Sequence, residues 1–239
     1  MNRLLFETSE IKDGVVTFGG VRAEHVMKVL HGEVGQILKT GEIDGLIGTG
    51  EILSVGETVT VRCTHDRESL RPWIDLILAP PRPRVMKRLL PQLASLGVGR
   101  IFLVGAKKVE KDFWGATLLK SENYRPLLVD GLMQAGTSIL PTLETRRNFH
   151  KFVREELDPL FPNARRIVAH PSPAGNRLPA SSCQRALLAV GPEGGWTDEE
   201  VALLEEHGFS RYSLGARILR TDTATVALLA QLMKEFGQC

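Results

Sequence analysis

Along the first 65 residues apolar positions come in short bursts separated by glycine. VVTF, QILK, EILSV and TVTVRC lie among glycines at 14, 19, 20, 32, 35, 41, 45, 48, 50 and 56. In the last burst Val59, Val61 and Cys63 share one side, and Thr58, Thr60 and Arg62 share the other. That is the period of a half-buried strand. Short strands at such close spacing predict a small β-barrel. One helical piece, AEHVMKVL, interrupts it, with Val26, Val29 and Leu30 at helical spacing.

From about residue 72 the pattern changes. Apolar runs WIDLILA (73–79), RIFLV (100–104), RIVA (166–169) and ALLAV (186–190) alternate with helix-period segments. Continuous apolar runs suit a parallel sheet covered on both faces, so this part reads as α/β. VMKRLLPQLASLG places Val85, Leu89, Leu93 and Leu96 on one helix face and ends at Gly97, with Pro91 as a potential kink. The polar stretch HDRESLRP (65–72) reads as the linker. Two domains are expected, 1–70 and 71–239.

Composition narrows the function classes. A hydrophobic fraction of 43% and a charged fraction of 24% are ordinary for a globular protein. No apolar run approaches the ~20 residues of a membrane span, and MNRLLFETSE lacks the pattern of a signal peptide. Cys63, Cys183 and Cys239 share no C-x-x-C spacing, and the six His show no ligand spacing. A cytoplasmic protein without a metal site is expected. The net charge of +2 names no partner, but basic residues gather at Arg82, Arg84, Lys87 and Arg88 and again at Lys107, Lys108 and Lys111. Such runs suit either a solvated face or a footprint for a polyanion such as RNA.

Two strand-to-helix turns carry the candidate chemistry. ALLAV runs into Gly191-Pro192-Glu193-Gly194-Gly195 and then a helix. Thr197 and Glu200 form an S/T-x-x-E capping box, and Gly208 closes the helix. The three glycines permit close backbone approach to a ligand, while Glu193 would repel a phosphate. Twenty residues on, YSLGARILRTDTATVALLA brings Leu214, Gly215, Arg217, Ile218, Leu219 and Arg220 to a second turn. Thr221 or Asp222 caps the next helix, on which Val226, Leu229, Met233 and Phe236 form an apolar face. A third strand end, AHPSPAGN, offers His170. Ligands of open α/β sheets settle beyond the carboxyl ends of strands. Taken singly, Arg217 and Arg220 also read as solvated loop residues, and His170 as turn chemistry.

GPEGG followed by LGARILRTDTA resembles the paired signatures of the RsmE family of ribosomal RNA methyltransferases, in the SPOUT superfamily. AEHVMKVL…GQIL is similar to that family's PUA-like N-terminal barrel, and RPRVMKRLLPQLASLGVGRIFLV to its first catalytic βαβ unit. The resemblance implies a SPOUT-type trefoil-knot methyltransferase domain preceded by a small PUA-like β-barrel. It implies S-adenosylmethionine bound in the knot, a homodimer, and methylation of uridine N3 in small-subunit (16S) rRNA or its particle. His170, Gly191 to Gly195, Leu214, Gly215, Ile218, Leu219 and Thr223 would then hold the cofactor. Arg220 and Asp222 would be catalytic, the first stabilising charge on the base and the second acting as base or orienter. Arg217, Arg82, Arg84 and Lys87 would bind RNA. The chain departs from the family pattern at Ala94-Ser95, His31, 130–138 and Asp222. These departures leave room for another RNA substrate, or for a non-catalytic RNA-binding or ribosome assembly factor that keeps the fold.

Overall fold

The computed structural model describes residues 2–171 and 185–236. The chain divides into two compact units, Met1–Arg71 with Val129–Leu140, and Pro72–Leu128 with Pro141–Cys239. The early boundary lies at the polar linker. Val129–Leu140, which the sequence reading leaves in the second domain, groups with the first unit.

The first unit is built on a five-stranded sheet. β1 (Leu4–Phe6), β2 (Val15–Phe18), β3 (Ile37–Glu42), β4 (Ile47–Val55) and β5 (Val59–Arg67) lie in the order β1-β3-β4-β5-β2. The first pair is parallel and the rest antiparallel. Register shifts in the β4–β5 pair mark bulges, which bend a strand and strengthen its twist. Phe6, Val16, Phe18, Ile52, Val59 and Val61 fill the core. The helix α1 (Gly20–Lys28) buries Ala23 and Val26. Val29, expected on that face, is 61% exposed because the helix has ended there. β1 escaped the sequence reading because a three-residue strand is too short to show a period.

Glu10 anchors the entry to this unit. Its carboxylate accepts from Arg22 at 2.5 and 3.1 Å and from the Glu7 amide at 2.9 Å. The hydrogen bond from Arg22, working against burial, holds the Glu10 carboxyl below its ordinary pKa. A depressed carboxylate contributes stability that is present above its unfolded pKa and is lost as pH falls through the folded one. Glu10→Gln should therefore lower stability by about 1 kcal/mol at neutral pH. Its urea midpoint should converge on the parent's below about pH 4.

The second unit carries six parallel strands. They are β6 (Ile74–Leu78), β7 (Val98–Val104), β8 (Thr142–Arg146), β9 (Arg165–Ala169), β10 (Ala186–Val190) and β11 (Ser210–Tyr212), ordered β11-β9-β10-β6-β7-β8. All five pairings are parallel. β6 and β10 are buried at every position, as central strands with both faces covered must be. The long helices are α2 (Pro83–Ser95), α3 (Ser121–Ala135), whose residues from Val129 on group with the first unit, α6 (Asp198–Glu206) and α7 (Thr221–Phe236). Short turns α4 (Phe149–Lys151) and α5 (Leu157–Leu160) flank a π-helical stretch, Phe152–Glu156. α2 continues through Pro91 and buries Met86, Leu89, Leu90, Leu93 and Ala94. Phe102, Phe149, Phe152, Phe161 and Trp196 dominate one core cluster.

Candidate functional site

β9, β10 and β11 end together, at Ala169, Val190 and Tyr212, and these residues line a cavity of about 580 Å³. The first wall is the turn 191–195. It is fixed from two sides. Glu200, 1% exposed, accepts from the Thr197 amide at 2.8 Å and hydroxyl at 3.2 Å, and its other oxygen accepts from the Lys107 amide at 2.8 Å. The capping box expected from the sequence thus also fastens the loop after β7 to the start of α6. Next to it the Lys108 ammonium donates to the Gly194 carbonyl at 2.8 Å. On the far side the Thr221 hydroxyl donates to the Gly191 carbonyl at 3.4 Å.

Two glycines of this wall have distinct requirements. A Cβ on Gly191 would lie 3.0 to 3.2 Å from the Trp196 amide nitrogen and indole carbons. Gly195 has φ +69° with open space where a Cβ would project, a backbone conformation that favours glycine. The second wall is Ser213 to Leu219, which turns at Gly215 with φ +103°. Ile218 is 100% exposed there. Thr221, Ala224 and Leu228, spaced as one face of α7, complete the lining.

His170 also lines the cavity, and its amide donates to the Tyr212 carbonyl at 3.1 Å. Burial, reinforced by Arg211, pushes its imidazole pKa down, which favours the neutral ring at pH 7.

The cavity gathers His170, Gly191, Pro192, Glu193, Gly194, Gly195, Leu214, Gly215, Ile218 and Leu219, together with Arg217. Thr223, Arg220 and Asp222 are not on its wall. Arg220 is exposed, and its carbonyl accepts the first α7 bond from the Ala224 amide at 2.8 Å. Arg220 therefore occupies the cap position expected of Thr221 or Asp222. Asp222 pairs with Arg88 at 3.4 Å and accepts from the Thr223 amide at 2.9 Å. Sequence reasoning passed over Trp196, Tyr212, Thr221, Ala224 and Leu228. The helical spacing of the last three from the turn was the signal available. The apolar face of α7 is also shifted: Leu228, Leu229 and Leu232 are buried, while Met233 is 42% exposed.

A smaller cavity, about 240 Å³, shares Pro192, Glu193 and Gly194 with the larger one and is otherwise lined by Pro80, Pro81, Arg82, Lys108, Val109, Glu110 and Phe113. Arg84 and Lys87 are exposed on α2 beside Arg82. Among the described residues no His, Cys, Asp and Glu group could hold a metal ion, and no helix is long and apolar enough to cross a membrane. Cys63 is partly buried and free, while Cys183 and Cys239 lie outside the described residues.

Residues 68–233 match the RNA methyltransferase domain family. The chain is 30% identical to ribosomal RNA small subunit methyltransferase E of Treponema pallidum, over 98% of this chain and 91% of that protein. Its identity to the corresponding enzyme 1 of Borreliella burgdorferi is 26%, covering 95% of each. A methyltransferase of Legionella pneumophila, solved with the bound cofactor SAM, superposes with a TM-score of 0.75 at 27% identity, covering 98% of this chain and 97% of that one. The fold is shared as well with a ribosomal RNA small subunit methyltransferase E of Neisseria gonorrhoeae, at a TM-score of 0.77 and 21% identity, covering 99% and 98%. With a cavity at the strand ends and relatives matched over 91% and 95% of their length, the chain belongs to the ribosomal RNA small subunit methyltransferase E family of RNA methyltransferases.

Proposed function

We propose that this protein methylates N3 of a uridine in small-subunit (16S) rRNA, using S-adenosylmethionine held in the larger cavity. The carrying observation is the glycine turn fixed at the carboxyl ends of three parallel strands, in a chain alike over nearly its full length to a SAM-bound methyltransferase. The residues present fit that group. The 191–195 and 213–219 walls present backbone and apolar side chains, and open space lies where Cβ atoms of Gly195 and Gly215 would project. Glu193 suits a cationic sulfonium and would disfavour a phosphate. When bound, the cofactor supplies an electrophilic methyl group.

The chain's own part is positioning and charge. Arg217 and the exposed basic residues of α2 would take RNA phosphates, a sequence-independent contribution. The target base must leave its stack to reach a cavity of this kind. Arg220, exposed and free of ion pairs among the described residues, is available to stabilise charge on the reacting base. Asp222, committed to Arg88 and an amide, suits an orienting role better than proton transfer.

We read the second unit as the trefoil-knot domain and the first as the PUA-like barrel. The strand order supports the former, since β10 enters between β6 and β9. A homodimer would cover Ile218 and Met233, which are otherwise exposed. Sedimentation equilibrium should give the dimer at micromolar concentration.

Mass-spectrometric mapping of small-subunit rRNA incubated with protein and cofactor tests the activity. An unmodified uridine pool, with full cofactor binding, would reject it. Arg220→Ala should lower single-turnover methylation by about 10²-fold, while cofactor affinity measured by calorimetry holds. Near-normal turnover would remove Arg220 from the mechanism.

A further inference from the structure

The smaller cavity borders the larger one along three shared residues, 192–194. Its volume is under half that of its neighbour, room for one flat ring rather than a second cofactor. Pro80, Pro81 and Phe113 are buried and give it an apolar floor. Arg82, Lys108, Glu110 and Glu193 are exposed around it. The Lys108 ammonium spends one donor on the Gly194 carbonyl, and the Arg82 Nε is taken by Glu110 at 3.0 Å. Both cations keep further donors.

These groups form a readable pattern. The edge of uracil that carries N3 presents an acceptor, a donor and an acceptor: O2, N3–H and O4. Two cations and a carboxylate supply the donors and the acceptor that such an edge requires. Cytosine, with a bare N3 and an amino group, would set a lone pair against the carboxylate and a donor against a cation. A base that leaves such hydrogen-bonding groups mismatched binds less well than one that pairs them. Glu193 is the one carboxylate among the described residues that lines both cavities.

Resting on the methyltransferase reading above, we propose that the smaller cavity is the subsite for the acceptor uracil, read by Arg82, Lys108 and Glu193, with Glu193 taking the N3 proton. In that step the N3–H bond breaks, its electron pair stays on N3 as the nucleophile, and the proton becomes the carboxyl proton of Glu193, later released to water. Arg82 and Lys108 add to the stabilisation proposed above for Arg220 of the negative charge shared by N3 and the ring oxygens. Lys108 also ties this subsite to the cofactor turn through Gly194.

The test begins with the parent protein, which must bind S-adenosylmethionine and methylate a uridine of small-subunit rRNA. Failure there overturns the enzyme reading and the subsite with it. With that uridine replaced by 4-thiouridine and the protein loaded with S-adenosylhomocysteine, irradiation should crosslink the base to residues 80–82 or 108–113. A crosslink confined to 213–219, or to the first unit, overturns the subsite alone. Val109→Trp, which enlarges a side chain that lines the smaller cavity and not the larger, should lower turnover by about 10²-fold and leave calorimetric cofactor affinity within about twofold. If that variant fails to fold, Lys108→Met replaces it with the same expectation for turnover. Glu193→Gln at saturating cofactor should lose about 10²-fold or more. Its rate should rise with pH between about 6 and 8, as hydroxide takes over the lost proton transfer, while the parent rate stays flat. Parental turnover in Val109→Trp, or a parental pH profile in Glu193→Gln, overturns the proposal.

Discussion

Gly191→Val should weaken S-adenosylmethionine binding by about 10- to 10²-fold, the scale of an overpacking cost of roughly 1–3 kcal/mol. Even one added carbon would press on the Trp196 amide nitrogen at 3.0 Å and on its indole at 3.1 Å. Trp196 cannot withdraw, because it is 4% exposed and packs on Phe149 with ring centroids 5.2 Å apart. The turn must move instead, and the Thr221 bond to the Gly191 carbonyl goes with it. The sequence alone points to Gly194 for this experiment, as a glycine that permits close backbone approach to the cofactor. The structure shifts the weight: a Cβ at 194 meets only Lys108, at 3.0 Å from its flexible Cδ. Gly194→Ala should bind nearly as the parent does. Circular dichroism establishes folding and calorimetry the affinity. A folded Gly191→Val with parental affinity would exclude the turn from the cofactor site.

Much of this site was legible because its residues sit next to strong local signals. Gly191 to Gly195 lie between a buried apolar strand and a capping box, and both survive as read. Leu214 to Leu219 surround a glycine, Gly215, whose φ is positive. The rest needed three dimensions. Lys108 reaches Gly194 across 86 positions of chain and Lys107 reaches Glu200 across 93, so no window of sequence could join them. Trp196 read as an ordinary core aromatic, which it also is. β8 was missed because Thr142–Arg146 is an edge strand with only partial burial, and its residues TLETR carry little apolar signal. The π-helical stretch Phe152–Glu156 lies in a segment to which the sequence reading assigned no element.

Asp75 was hidden inside an apolar run, WIDLILA, and it carries the largest stability effect expected here. Its carboxylate is fully buried on central strand β6. One oxygen accepts from the Arg100 amide at 2.9 Å and from Arg185 at 2.6 Å; the other accepts from the Arg100 guanidinium at 3.1 and 2.8 Å. Arg100 in turn lies 4.3 Å from the Phe161 ring centroid and donates to the Leu160 carbonyl. Gly99 leaves room for Arg185, since a Cβ there would fall 2.0 Å from its Nη2. One acid therefore ties β6 to β7 and to the start of β10. Asp75→Ala would leave a buried amide and two guanidinium groups without their acceptor. Removing one partner of a buried pair costs about 3–5 kcal/mol. The side chains of Arg100 and Arg185 are 33% and 41% exposed and can recover some hydration, so the lower end, about 3 kcal/mol, is expected. Asp75→Asn keeps the shape and one acceptor but turns an amide donor toward arginine donors, at a cost of about 2 kcal/mol. Urea unfolding measures both. Asp75 pairs toward the amino end of the sheet, away from the cavity at the strands' carboxyl ends, so either variant, while folded, should bind S-adenosylmethionine as the parent does. An Asp75→Ala protein with a parental midpoint would mean that the two arginines find water as readily as they find the carboxylate.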